Sequence, residues 1–303
     1  MATLLEIVQQ ASGELGLSVP NAAATSTTQD VVQMVYLVNA VGQELNRKWE
    51  WQRNTVEYVF QTVFLATTGN TTTDSAVVTG IPSTATLSTN YYCSGTGLPA
   101  GLTIVSVDSG TQVTLSQPAT ATGTGVTLNF GQAKYSLPSD YDRKISNTDW
   151  DKSRRWGVLG PTSAQEWQWL KSSYISTGPR ARFRILNNLF QIYPPPAQSN
   201  LTYGFEYISN GWAFAANGTT RKSRMTLDTD SPVFPDRLMI LGTKLKYLEA
   251  KNFDTTAVYR DYRDELEEAK GSDADSPMLS MAPRPENILI NQNNIPDSGY
   301  GTS

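Results

Sequence analysis

Histidine is absent from the 303-residue chain, and cysteine occurs once, at position 93. Without histidine there is no Ser-His-Asp or Cys-His nucleophile, no imidazole metal ligand and no ready switch near neutral pH. A single cysteine excludes an intramolecular disulfide and a cysteine zinc site within one chain. Cys93 lies in TNYYCSG with no basic neighbour to lower its pKa, so it reads as a small buried side chain. Charge is scarce too: 17% of residues are charged and 39% hydrophobic, both below globular norms. A net charge of −4 argues against a whole-surface nucleic-acid binder. No apolar run is long enough for a membrane span, and MATLLEIVQQ lacks the basic start of a secretory signal. A cytoplasmic chain at synthesis is expected.

What is present falls into zones. Leu4, Leu5, Val8, Ala11 and Leu15 have helical spacing, with Gly16 as a stop. Val31, Val35, Val38, Gly42, Leu45 and Trp49 form a second helical seam, capped by Thr28 or Asp30, in which Gly42 lets another helix approach closely. The seam ends in KWEWQRN, from Lys48 to Asn54, and TVEYVFQTVF then alternates like a strand. Between Glu57 and Lys134 the only charged residues are Asp74 and Asp108. Short β-type runs (AVVTGI, ATLSTNYY, LTIVSV, QVTLSQP, VTLNF) recur there between turn signals, the pattern of a small sandwich or barrel. Residues 67–131 therefore read as a Thr/Ser/Gly-rich domain inserted into a loop of the main body. Beyond it, SAQEWQWLK predicts a short helix, and RFRIL-NN-LFQIY a hairpin turning at Asn187 and Asn188. These two strands and LTYGFEYIS are expected to share one antiparallel sheet.

Leu238, Leu241, Leu245 and Leu248 make another helical seam, entered at Pro235. Asp254 is expected to cap a last helix carrying Tyr259, Tyr262, Leu266 and Ala269, with Gly271 ending it. Residues 272–303 are rich in Pro, Asn and Ser and predict an extended arm. The arm keeps Met278, Leu279, Ile288, Leu289, Ile290 and Ile295, which suggests that it docks on a partner.

Candidate chemistry is thin. GTGLPAG, from Gly95 to Gly101, has the wrong spacing for a phosphate loop and is followed by strand-type sequence, so it reads as a turn. Asp261, Asp264, Glu265, Glu267 and Glu268 crowd one helix, where they read as a solvated face, because acid catalysis needs carboxylates converging across a cleft. Arg143-Lys144, Lys152-Arg154-Arg155, Arg180-Arg182-Arg184 and Arg221-Lys222-Arg224 form basic clusters. They read as an interface or solvated face pairing with acids of the C-terminal helices, with a phosphate-binding stripe as the alternative. In KWEWQRN, aromatic and basic residues alternate as in single-strand binders. The core reading is preferred: Trp49 continues the seam and should be buried, while Trp51 points elsewhere, toward the sheet, with Arg47, Lys48 and Arg53 outside. Trp49 and Trp51 are thus assigned to a junction between helices and sheet. No residue is nominated for catalysis, a cofactor or a metal.

The order of KWEWQRN, SLPSDYDRK and FPDRLMILGTKLKYLEAKNFDTTAVYRDYRDELEEAK resembles the head-to-tail adaptors of short-tailed bacteriophages, of the tail tubular protein A or upper-nozzle type. The resemblance covers roughly residues 1–66 and 132–271 and omits the inserted domain. It implies a non-enzymatic virion protein, assembled in the host cytoplasm, that forms a dodecameric ring between portal protein and tail nozzle. Such a ring offers surface to tail fibres and lets DNA pass without reading its sequence. It also implies portal contact by the C-terminal arm. The acids Glu265, Glu267 and Glu268 would then face the channel.

The fold class expected is α+β: N- and C-terminal helices in a bundle, an antiparallel sheet region, the inserted β-domain and the arm. The body spans 1–66 and 132–271, the insertion 67–131 and the arm 272–303. Two other classes stay open. One is a β-rich attachment module binding fibres or host glycans through 67–131, although that segment is poor in tryptophan and charge. The other is a carboxylate-dependent hydrolase of cell-wall glycans, for which no carboxylate pair stands out.

Overall fold

The computed structural model describes residues 1–171 and 180–273. The chain opens with α1 (Leu4–Glu14) and α2 (Gln29–Lys48), a 3-10 turn at Gln52–Asn54 and β1 (Thr55–Gln61). There follow β2 (Phe64–Thr71), β3 (Val77–Val78), β4 (Tyr91–Gly95), β5 (Leu102–Ser109), β6 (Gln112–Leu115) and β7 (Gly123–Gln132). Next come β8 (Lys134–Ser136), β9 (Tyr141–Lys144), β10 (Trp150–Asp151), β11 (Trp156–Gly157) and α3 (Ala164–Lys171). From residue 180 onward come β12 (Arg182–Leu186), β13 (Leu189–Tyr193), β14 (Thr202–Ser209), β15 (Ala213–Phe214), β16 (Arg221–Lys222) and β17 (Ser231–Pro232). Helices α4 (Asp236–Ala250) and α5 (Thr256–Asp273) complete the described chain. The fold is α+β with antiparallel sheets, in two compact units. Of the described residues, one unit holds 1–57, 139–145 and 206–273, and the other 58–138, 146–171 and 180–205.

In the first unit α1, α2, α4 and α5 share one core. Leu4, Ile7, Val8 and Ala11 of α1 meet Val31, Met34, Val38 and Leu45 of α2, Leu238, Leu241 and Leu245 of α4, and Tyr262 and Leu266 of α5. The start of α1 is fixed by a capping box: Thr3 Oγ1 accepts from the Glu6 N–H, and the Glu6 carboxylate from the Thr3 N–H. Thr28 stands at the N-cap of α2, but its side chain makes no capping bond. Gly42 does allow close packing, though not of a helix. A Cβ there would lie 2.3 Å from the indole ring of Trp212. The close helix approach is made by Gly242 of α4, where a Cβ would lie 2.7 Å from Val41 of α2. Asp254 accepts from the N–H of Thr256, the first residue of α5. Gly271 does not end that helix, which runs to Asp273. A glycine weakens a helix by about 1 kcal/mol and does not break it.

In the second unit, strands in the order β2-β7-β4-β5-β6-β3 form a nearly closed barrel. The seam closes between β2 and β3, where Asn70 and Thr79 exchange backbone hydrogen bonds of 2.7 and 3.1 Å. Ile81, Cys93, Leu102, Val113, Leu128 and Phe130 fill it. Of ATLSTNYY, only the end, Tyr91 and Tyr92, is strand. Hairpin β12-β13 turns at Asn187 and Asn188, both with positive φ, and extends to β8. LTYGFEYIS lies in a different sheet, paired with β10 through Tyr203 and Gly204, so the three runs do not share one sheet. Aromatic rings pack in this unit: Phe183 stacks on Phe190 at 4.8 Å, and Phe190 on Phe205 at 5.1 Å.

Candidate assembly site

KWEWQRN sits where α2 ends, and Trp49, expected to be buried on the seam, is not. The helix stops at Lys48 and Trp49 turns to extended backbone (φ −147°, ψ 158°), which takes it off the seam and leaves it 39% exposed. The ammonium of Lys270 stands 5.5 Å from its ring. Trp51 is the buried one, 1% exposed. Its indole N–H donates to the Leu45 carbonyl at 2.7 Å, and its ring meets Phe234 edge-on at 5.3 Å. Arg47, Lys48 and Arg53 are exposed.

Around Trp51 lies a polar network that sequence reasoning missed. Asn46 and Asn54 both donate to the Ser209 carbonyl, at 3.0 and 2.7 Å, and Asn54 also donates to the Asn46 side chain at 2.7 Å. Arg221 donates to the side chain of Asn54. Arg143, from SLPSDYDRK, donates to the carbonyls of Asn46 and Trp49 at 3.0 and 2.7 Å. It thereby takes up acceptors that a helix end leaves open and puts positive charge at the negative end of α2. The Asp273 carboxylate accepts from the N–H of Gln52 at 2.7 Å and pairs with Arg53 at 3.4 Å. The only sequence hint was the pair of basic residues in SLPSDYDRK following a helix that ends without glycine.

A second buried carboxylate, Asp230, is 0% exposed. It accepts from Lys222 and from the N–H groups of Thr226 and Leu227. Burial alone would raise its pKa, but Lys222 and the two N–H groups outweigh it and hold the carboxyl below its ordinary value. The Asp230 carbonyl also accepts from the Leu4 N–H at 2.8 Å, which ties this loop to the first turn of α1.

The other nominated residues are scattered. Glu267 and Glu268 are exposed on α5 and Glu265 is half-buried; Glu267 pairs with Lys270 at 2.9 Å. The basic clusters find partners other than the C-terminal helices. Arg182 pairs with Glu166 of α3 at 2.6 Å, Arg154 with Asp151 at 3.6 Å, and Lys222 with Asp230. Cys93 is buried inside the barrel, which pushes its thiol up to about 12. Met278, Leu279, Ile288, Leu289, Ile290 and Ile295 lie outside the described residues. Among the described residues, no group of three or more His, Cys, Asp or Glu is placed to hold a metal ion, and no helix is long and apolar enough to cross a membrane.

A family model described as SU10 adaptor protein matches residues 102–284, more than half of the chain. The chain belongs to the SU10 adaptor protein family, and so to the phage structural adaptors, virion proteins that associate with other head and tail components. The match begins at β5 and takes in the second half of the barrel as well as the helical C-terminal part. No curated protein matches the chain.

Proposed function

We propose that this adaptor forms a ring between the portal protein and the tail nozzle and surrounds the channel through which DNA leaves the head. Family membership carries the reading. The resemblance to short-tailed phage adaptors of the tail tubular protein A type supports a ring of twelve copies, with tail fibres as further partners on its outer surface. Its role is structural and not catalytic. Assembly takes place in the host cytoplasm, and DNA passes without sequence readout.

On this reading the residues after Asp273 reach the portal, with Met278, Leu279, Ile288, Leu289, Ile290 and Ile295 as docking contacts. Glu265, Glu267 and Glu268 face the channel and repel the phosphate backbone. The exposure of Glu267 and Glu268 on α5 supports that assignment. The test is negative-stain microscopy of the purified chain with the portal protein of the same phage. Rings bound to portal are expected; monomers that ignore portal overturn the proposal. Deleting residues 278–303 should weaken portal binding and leave the melting temperature unchanged. Reversing Glu265, Glu267 and Glu268 to lysine should slow DNA ejection, and unchanged ejection removes the channel role.

A further inference from the structure

One cavity of about 270 Å³ lies wholly within the barrel-containing unit. Its walls include Phe64 of β2, Tyr92 and Ser94 of β4, Asn129 of β7, Tyr193 at the end of β13 and Pro195 just after it. Gly131 makes the wall possible: a Cβ there would lie 2.6 Å from the carbonyl oxygen of Pro196, so any larger residue pushes the 195–197 segment away.

The lining has a definite chemistry. Among the described residues it contains no Asp, Glu, Lys or Arg, so a charged ligand would be desolvated there without a counter-charge. It does contain two phenols, a hydroxyl and a carboxamide. Among the described residues none of these four groups has a hydrogen-bond partner in the protein. A purely apolar ligand would strip water from them and return nothing. Burial, with Tyr193 alongside, raises the Tyr92 phenol and keeps it a donor at neutral pH. The volume falls just under the range of small-molecule sites, roughly 300–1,000 Å³, enough for one ring. Phe64, Tyr92, Tyr193 and Pro195 supply flat apolar faces beside the polar groups.

We propose that this cavity binds a neutral pyranose unit of a glycan, its hydroxyls meeting Asn129, Ser94 and the two phenols, its C–H face packing on the aromatic and proline walls. The inference goes beyond the ring reading and does not depend on it. The probes are the methyl glycosides of glucose, galactose, mannose and N-acetylglucosamine, titrated into the full chain by saturation-transfer NMR. At least one should saturate with a Kd on the order of 1 mM, the affinity such a small ligand allows. Asn129→Ala and Tyr193→Ala should each weaken it by about tenfold or more at unchanged melting temperature. Should either variant fail to fold, Ser94→Leu, at an exposed position, blocks entry without touching the core. No saturation by any probe, equal binding by all folded variants, or saturation only by a proline-rich peptide overturns the proposal. Portal binding measured on the same variants should stay intact.

Discussion

The helical unit and the barrel solve the same problem, burying a core, with opposite materials. The helical core joins elements from both ends of the chain, and each helix end leaves backbone groups unpaired. Side chains supply partners there, the half-buried Arg143 for α2 and the buried Asp273 for the turn after it, and the buried Asp230 does the same for the 226–227 loop. In the barrel, neighbouring strands pair one another's backbone, so few buried polar side chains are needed. Thr71 and Thr84 are its buried polar residues. The scarcity of charge between Glu57 and Lys134 follows from this. Deleting polar groups should therefore hurt the helical unit far more than the barrel.

The largest effect is expected from Asp230→Asn. It leaves Lys222 facing a neutral amide in a buried site, a loss of about 3–5 kcal/mol, read as a drop in the urea midpoint. The pH dependence has a definite sign. The folded carboxyl is held below its ordinary value, so its stabilisation is fully present above about pH 4 and is lost as pH falls through the lower folded value. The parent should weaken on acidification below pH 4 more steeply than the variant, and parallel acid titrations would sink this assignment.

Next is Gly42→Ala, which drives a methyl into Trp212 and should cost about 1–3 kcal/mol by overpacking. Differential scanning calorimetry is the readout. A neutral result would mean that Trp212 swings away freely. The barrel counterpart is smaller. Asn70 accepts the Gly125 N–H at 2.9 Å beside the closing bridge, and Asn70→Ala should cost about 0.5–1.5 kcal/mol. A loss as large as that of Asp230→Asn would break the contrast between the two units. The smallest perturbation is chemical. With its thiol buried and raised to about 12, Cys93 should react with a disulfide reagent only as fast as the barrel opens. Rapid labelling in native buffer would show that the barrel seam breathes.

Local patterning reached most elements. The seams of α1, α2 and α4, the Asn187-Asn188 hairpin and the runs LTIVSV, QVTLSQP and VTLNF were legible because periodicity and turn chemistry act over a few residues. Trp49 was misread because a seam extrapolates until something stops it. Here nothing in the sequence between Leu45 and Trp49 marks the stop; the backbone simply turns extended. The Asn46–Asn54–Ser209 network and the Arg143 cap were invisible, since their members lie up to 163 residues apart. Splitting RFRIL, LFQIY and LTYGFEYIS between two sheets needed strand pairing that alternation does not encode. The pyranose cavity escaped for a similar reason, since its walls come from five separate stretches of chain.

The Asp273 carboxylate holds the N–H of Gln52. The end of α5 is thus clamped to the corner where α2 gives way to β1. Tension applied at Asp273 enters the fold at that corner. The corner is braced by Arg143 and the Asn46–Asn54 network, so the load path runs into the end of α2 before it reaches the helical core. Asp273→Ala should lower the force needed to peel α5 in single-molecule pulling from residue 274, and, by leaving the Gln52 N–H without its partner, should lower equilibrium stability by about 1–3 kcal/mol.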